Sequence, residues 1–214
     1  MNRFALCLAL TTTALALAAC GNGTGTARYI VDPPSSPQIT GDQLGATELK
    51  TVSLPDYAAA DAIPWQDPDG SVRANKKQIW ADKPERAFTE TLARTISEMS
   101  GASVISEPWP LASPPQHKLD VRVEKALASS DGQFRLKGRY FLSAEGSGAG
   151  RHHTRNFDIA VPVDPKNPES VAQAAAQAIT ILAEQIASLG GPGTTIVARP
   201  AGGSDPYAGL PPLF

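Results

Sequence analysis

The sequence has 214 residues, with 19 Lys and Arg residues against 21 Asp and Glu residues and a formal net charge of −2. Apolar residues make up 42% and charged residues 19%, a composition typical of a globular protein. The near-neutral balance, without a basic stripe, argues against a protein that binds nucleic acid. The length favours one ordinary domain, or at most two small ones.

The N-terminal segment 1–19 has the pattern of a signal peptide. Arg3 supplies a positive charge, an apolar run follows it, and small residues precede Cys20. The run is too short for a comfortable transmembrane helix. The end of this segment, together with Cys20, resembles the lipobox of bacterial lipoproteins, which implies diacylglycerol modification of Cys20 and cleavage of the chain before it. An ordinary secretory signal with an incidental Cys20 is the alternative.

A lipidated Cys20 would be a durable anchor, because two or more acyl chains hold a protein on a membrane stably and one chain does so only marginally. Gly21 follows it, where enteric bacteria use Asp to retain lipoproteins at the inner membrane. We therefore expect the protein at the periplasmic face of the outer membrane, with residues 20–26 as a flexible tether. Both cysteines precede residue 21, so the remaining chain can form no disulfide framework.

Strands are predicted where apolar and polar residues alternate between turn residues. Short strands are expected over 28–32, 47–54, 63–66, 71–74 and 102–105. The clearest alternation predicts a three-stranded antiparallel meander, with one apolar and one solvated face. Its strands include residues 118–125, 134–142 and 157–161.

Two amphipathic helices are predicted. For the first, Asp82 and Glu85 have the spacing of a capping box, and Gly101 marks the end. For the second, Asn167 is the expected N-cap. The apolar stripes recur at helical spacing and are expected to be buried. They consist of Phe88, Leu92, Ile96 and Met99 in the first helix and Val171, Ala175, Ala178, Leu182, Ile186 and Leu189 in the second.

These elements predict an α/β fold with a single domain over residues 27–190. Its mixed, largely antiparallel sheet would be packed by two long amphipathic helices. The Pro- and Gly-rich segment 191–214 is expected to be disordered or draped over a partner.

The residues offer no positive case for catalysis. His152 and His153 are adjacent on a predicted strand. Successive side chains of a strand point to opposite faces, so the two imidazoles do not coordinate one metal ion. The Gly-rich segment 146–150 lacks the Lys-Ser/Thr ending and the following helix of a phosphate loop. No Gly-x-Ser-x-Gly elbow is present. We expect no enzyme activity, no cofactor and no metal site.

Three tryptophans, Trp65, Trp80 and Trp109, fall in or beside loops rich in Pro or Asp. Tryptophan is enriched at protein interfaces and also fills the edges of hydrophobic cores, so the sequence allows both interpretations. We take the three residues as candidates for partner binding.

Several segments occur in an order that resembles a known family. After the lipobox, these are 29–33, 52–55 with Tyr57, 79–82 leading to Phe88 and Leu92, and 182–187. Over residues 17–189 the chain resembles the PqiC-type (YmbA-like) ABC-type transport auxiliary lipoproteins, which work with Mce-domain (mammalian cell entry) proteins. The family often has basic residues after the Pro-Tyr segment, where this chain has mainly alanine.

The resemblance implies a non-catalytic subunit of an intermembrane lipid transport system. The Mce-domain protein would bridge the periplasm with a hydrophobic tunnel, with ABC or other membrane components at one end. This lipoprotein would dock the tunnel at the outer membrane, with phospholipid as cargo and a homo-oligomeric ring as its assembly. The alternative is an envelope-assembly or structural lipoprotein of another machine, such as lipopolysaccharide or secretin assembly, and a hydrolase comes third.

Overall fold

The computed structural model describes residues 25–34, 44–145 and 152–190. The predicted signal peptide, Cys20, the Gly-rich segment 146–150 and the tail 191–214 lie outside these residues. The described strands are β1 (Ala27–Tyr29), β2 (Thr47–Leu49), β3 (Ala62–Gln66), β4 (Val72–Trp80), β5 (Val104–Ser106), β6 (His117–Ala128), β7 (Gln133–Ala144) and β8 (His153–Pro162). The helices are α1 (Asp56–Ala59), α2 (Pro84–Ser100) and α3 (Pro168–Ala187), and a 3₁₀ turn (Ser188–Gly190) follows α3.

The long strand β6 is the centre of the sheet. On one edge, its first residues pair in parallel with β2, and its last residue, Ala128, pairs in parallel with Trp65 of β3. Antiparallel β7 covers the other edge, and β8 follows β7. Beyond β3 the sheet continues through β4 to β1, and beyond β2 it continues to β5. The sheet therefore divides beside β6 into two arms.

The helices cover the apolar face of this sheet. α2 and α3 pack against each other, α2 also packs on β5, and α3 packs on β7 and β8. All the apolar residues predicted to form the two helical stripes are buried, as are Leu119, Val121 and Val123 of β6. The predicted fold class is confirmed: one mixed, largely antiparallel sheet carries two long helices on one face.

A β-bulge interrupts the pairing of β6 with β7. The register shifts between Val123 and Lys125, and Gly138 of β7 lies opposite Val123. A Cβ atom on Gly138 would stand 2.2 Å from the carbonyl oxygen of Arg122 and 2.8 Å from Cζ of Phe157. Glycine is required here because the bulged strand approaches β7 too closely for any side chain.

The helix ends agree with the predictions except at the start of α2. The side chain of Asn167 accepts hydrogen bonds from the N–H groups of residues 169 and 170, as expected for the N-cap of α3. Gly101 ends α2 with a positive φ of 74°. The N-cap of α2 is Lys83, not Asp82, and it makes no side-chain capping bond. Asp82 instead accepts the N–H of Lys83 and pairs with Arg86, one residue too early to cap the helix.

Candidate functional site

The structure places the three candidate tryptophans in different surroundings. Trp65 lies within strand β3, as the strand predicted over 63–66 implies. Trp80 is the last residue of strand β4, beyond the predicted strand 71–74, and Trp109 lies between β5 and β6. The two arms of the sheet end in β1, beside β4, and in β5. Trp80 and Trp109 therefore belong to opposite arms, and the three residues do not form one site.

Trp65 belongs to the framework of the β3–β4 hairpin. Its ring packs against the hydrophobic core, and its Nε1 donates to Oδ1 of Asp67 at 3.2 Å. Asp67 also accepts from Nε of Arg73 at 2.6 Å, across the hairpin. These contacts satisfy the polar atom of the indole and hold the turn between the two strands.

Trp109 lies in a firmly held surface loop, which we define as the Trp109 loop (residues 107–116). At its start, Glu107 donates its N–H to the carbonyl of Leu49 at 2.8 Å. Within it, Nε1 of Trp109 donates to the carbonyl of Ser113 at 2.7 Å. Leu111, at the centre of this loop, is 53% exposed. The loop thus presents an apolar side chain to solvent on a backbone held by hydrogen bonds.

An apolar cavity of about 440 Å³ lies on the other arm of the sheet, between β1, the start of α2 and α3. At its surface lies Ile30, which is 72% exposed, and its wall reaches Val171 and Ile179, which are each 1% exposed. The cavity therefore runs from the surface into the core. We call it the β1–α2 cavity. Its volume falls within the range of small-molecule binding sites, roughly 300–1,000 Å³.

Trp80 lines the β1–α2 cavity beside its polar rim. Its Nε1 is buried and has no hydrogen-bond partner among the described residues. The rim includes Asp82 and Arg86, whose Nε donates to Oδ1 of Asp82 at 3.2 Å. The Arg86 guanidinium holds the pKa of the Asp82 carboxyl below its ordinary value. The cavity wall is thus largely apolar, and one of its lining residues, Trp80, has a buried indole N–H without an acceptor among the described residues.

Sequence reasoning singled out Trp80 but missed the cavity that it lines. Alanine lines the wall at positions that come from four different elements: Ala58, Ala87, Ala126 and Ala175. Each of these residues is separately compatible with ordinary packing. The local patterns carry no signal that brings them together, because the elements that supply them are distant in the sequence and meet only in the folded domain.

Two general features concern the part of the chain that the structure describes. In residues 25–34, 44–145 and 152–190, no three His, Cys, Asp or Glu residues are grouped so that they could hold a metal ion. None of the described helices is long and apolar enough to cross a membrane.

The arrangement is that of a small α/β domain with an apolar cavity and an exposed apolar loop. A family model described as the ABC-type transport auxiliary lipoprotein component matches residues 30–187, which contain every element from β2 to α3. The chain belongs to this family, and it is therefore a lipoprotein with an auxiliary role in ABC-type transport. A search of curated proteins gives no match.

Solved structures are similar to the chain in fold. One, titled as an uncharacterized protein, is 20% identical, with a TM-score of 0.57 over 70% of this chain and 97% of that chain. A DUF330-family protein from Xanthomonas campestris is 16% identical, with a TM-score of 0.55 over 77% of this chain and 92% of that chain. At this identity the likeness supports the fold alone.

Proposed function

We propose that this protein is a non-catalytic auxiliary subunit of an Mce/ABC-type intermembrane lipid transport system. Lipidated Cys20 anchors it to the periplasmic face of the outer membrane, where its folded domain docks the tunnel of the Mce-domain protein. The observation that carries this proposal is the family match, because it spans nearly the whole described domain and names a transport auxiliary lipoprotein. The signal-peptide pattern ending at Cys20 supports the anchor.

The docking surface that we propose is the Trp109 loop. Specific interfaces are centred on apolar or aromatic anchors, and a rigid surface loses less conformational entropy on binding than a mobile one. The N–H of Trp109 donates to Oε1 of Glu48 at 3.0 Å, and the N–H of Gln116 donates to the carbonyl of Ala46 at 2.7 Å. Both bonds tie the loop to β2 or its flank, so Leu111 is displayed from a fixed frame.

The solvated face of the meander is less suited to an apolar partner. Two of its cations are paired within the sheet: Nη2 of Arg139 lies 3.3 Å from Glu124, and Nζ of Lys137 lies 3.9 Å from Asp158. Exposed pairs of this kind contribute little to stability or affinity, and this face is polar. The exposed apolar side chain of Leu111 therefore makes the Trp109 loop the better candidate.

The proposal is tested by a native pull-down of the full-length lipoprotein from detergent-solubilised envelopes, with proteins identified by mass spectrometry. We expect recovery of an Mce-domain protein with its ABC or other membrane components. Leu111→Glu should abolish this recovery, because it places a charge at the centre of the apolar contact. Val72→Glu is the matched control, since Val72 is also exposed, at 45%, but lies on the opposite arm of the sheet.

Recovery of a lipopolysaccharide or secretin assembly machine would replace the transport role with the alternative. Equal recovery by Leu111→Glu and the parent would rule out the Trp109 loop as the docking surface. The proposed ring predicts that the purified lipoprotein has the mass of a closed homo-oligomer. Turnover of peptidoglycan or lipid esters by the purified protein would contradict a non-catalytic role.

The anchor is tested separately by fractionation of cells that carry Cys20→Ser. Without the thiol no acyl chain can be attached, so we expect the protein to move from the membrane fraction to the soluble fraction. Cys7→Ser is the matched control, because Cys7 lies within the predicted signal peptide and should be removed with it. Membrane retention of the Cys20→Ser protein would contradict the anchor.

A further inference from the structure

We propose that the β1–α2 cavity binds one acyl chain of a fatty acid or phospholipid, and that Nε1 of Trp80 donates a hydrogen bond to the carbonyl or carboxylate oxygen of that chain. This inference goes beyond the docking role and does not depend on the identity of the transport partner.

The β1–α2 cavity has a lining that reaches from the surface to the core. It includes Ile30, the exposed residue that follows β1, and the buried residues Val171 and Ile179. A space of about 440 Å³ that is partly open to solvent and lined mainly by apolar side chains has the size of a small-molecule binding site. Its apolar wall selects a hydrocarbon.

Small side chains create the space of the cavity. Ala87 of α2 and Ala175 of α3 both line the cavity. A larger apolar residue at either position would fill part of the space. The cavity therefore depends on the small side chains of Ala87 and Ala175, and substitution of either residue by a larger one tests whether the cavity binds a ligand.

The indole N–H of Trp80 is the donor that we assign to the ligand. Nε1 of Trp80 is buried and makes no hydrogen bond among the described residues, although a buried indole N–H usually has an acceptor. Trp80 pairs with Tyr29 of β1, immediately before Ile30 at the surface. An acyl chain carries one acceptor group at its polar end, so its carbonyl oxygen can meet Nε1 while its tail extends toward Ile179.

These features favour a lipid chain over an apolar side chain of a partner protein. Partner side chains bind from the surface of a folded domain, whereas this cavity extends to residues that are 1% exposed. A single unbranched chain fits an apolar space of this depth with only one polar contact. A protein occupant is accordingly the competing outcome of the experiment.

The test uses the mature chain, residues 20–214, carrying Cys20→Ser, which has no acylation site and lacks the apolar segment of the predicted signal peptide. The probe is cis-parinaric acid, a polyene fatty acid whose emission rises on transfer to an apolar site. Direct excitation of the polyene makes the signal independent of tryptophan. We expect saturable binding that palmitate displaces. Displacement by lysophosphatidylethanolamine as well would indicate that phospholipid chains are accepted, and displacement by palmitate alone would indicate free fatty acid.

Two variants locate the site. Ala87→Leu should abolish binding, because the leucine side chain enters the cavity. Trp80→Phe keeps an aromatic ring but removes the donor, and it should weaken binding by about tenfold, the upper part of the range for one net hydrogen bond. Trp109→Phe is the matched control, since Trp109 does not line the cavity, and its binding should equal that of the parent. Melting curves confirm that each protein is folded.

Lack of saturable binding by the folded parent would overturn the proposal, and so would equal binding by the parent, Ala87→Leu and Trp80→Phe. If Ala87→Leu loses recovery of a protein partner while the parent binds no polyene, the occupant is a protein side chain and the proposal is wrong. Absence of acyl-chain binding would leave the proposed docking role intact, because the pull-down that tests docking depends on the Trp109 loop. If Ala87→Leu does not fold, Trp80→Phe with its Trp109→Phe control decides the question.

Discussion

The substitution Gly138→Ala tests the close approach of β6 and β7 at the bulge. A methyl group there would lie 2.2 Å from the carbonyl oxygen of Arg122, 2.8 Å from Cζ of Phe157 and 3.0 Å from Cα of Val123. Two of these three atoms belong to the backbone of β6. The methyl group can be accommodated only if β6 and β7 separate, which would strain the hydrogen bonds that join the central strands of the sheet.

The expected loss of stability follows from these contacts. Overpacking a close-packed interior costs typically 1–3 kcal/mol, and we expect about 3 kcal/mol because the backbone cannot rotate away as a side chain can. For a protein of this size, each kcal/mol lowers the melting temperature by roughly 2–4 °C. Gly138→Ala should therefore lower it by roughly 6–12 °C, with a corresponding fall in the urea midpoint.

The assay is thermal and urea unfolding of the Cys20→Ser chain, followed by circular dichroism. Gly25→Ala is the matched control, because no atom lies within 4 Å of the added methyl group, and it should melt like the parent. The loss caused by Gly138→Ala should be smaller, but not abolished, when it is measured in the Phe157→Leu background, since the contact with Arg122 remains. A melting temperature for Gly138→Ala within 1 °C of the parent would refute the argument from close approach.

Three further predictions concern the helices and the sheet. Leu182→Asp should unfold the domain, because Leu182 is fully buried and an unpaired charge there costs several kcal/mol. The control is Gln185→Asp on the exposed side of α3, which should melt like the parent. Asn167→Ala should cost about 1 kcal/mol in urea unfolding through loss of the N-cap bonds, and Asn167→Ser should restore most of it. The hydrogen bond that Arg122 donates to Asp120, 2.9 Å long, lowers the pKa of the Asp120 carboxyl. The charged pair therefore adds to the free energy of unfolding above about pH 4, and this contribution is lost as the pH falls further. Asp120→Asn should therefore reduce the fall in urea midpoint between pH 7 and pH 3, and an unchanged fall would contradict the assignment.

The meander and the two long helices could be predicted from the sequence because their patterns are local and long. Leu119, Val121 and Val123 alternate with polar residues, so any sheet that buries one of them on one face buries all three. Asn167 likewise acts on N–H groups two and three residues ahead of it, so its capping role depends on the local backbone alone. Asp82 shows the limit of such arguments, because a helix start one residue later removes the capping geometry.

Other features depended on contacts between distant segments. Nothing near Trp65 in the sequence indicates that β3 pairs with the last residue of β6, or that β2 pairs with its first residues. The bulge after Val123 was not predicted either, although Gly138 within an alternating strand is a signal that could have pointed to it. The different surroundings of Trp80 and Trp109 also follow from the arms of the sheet to which they belong.

The sequence by itself determined the class of the protein. Its composition, the lipobox-like ending at Cys20, the alternating strands and the amphipathic helices all express local chemistry, which needs no knowledge of long-range pairing. Only the tertiary structure decided which residues surround the cavity. β1 pairs with β4, α2 packs against α3, and Ala87 and Ala175 line one cavity because these distant elements come together. A cavity is a property of the space between elements, and no single element encodes it.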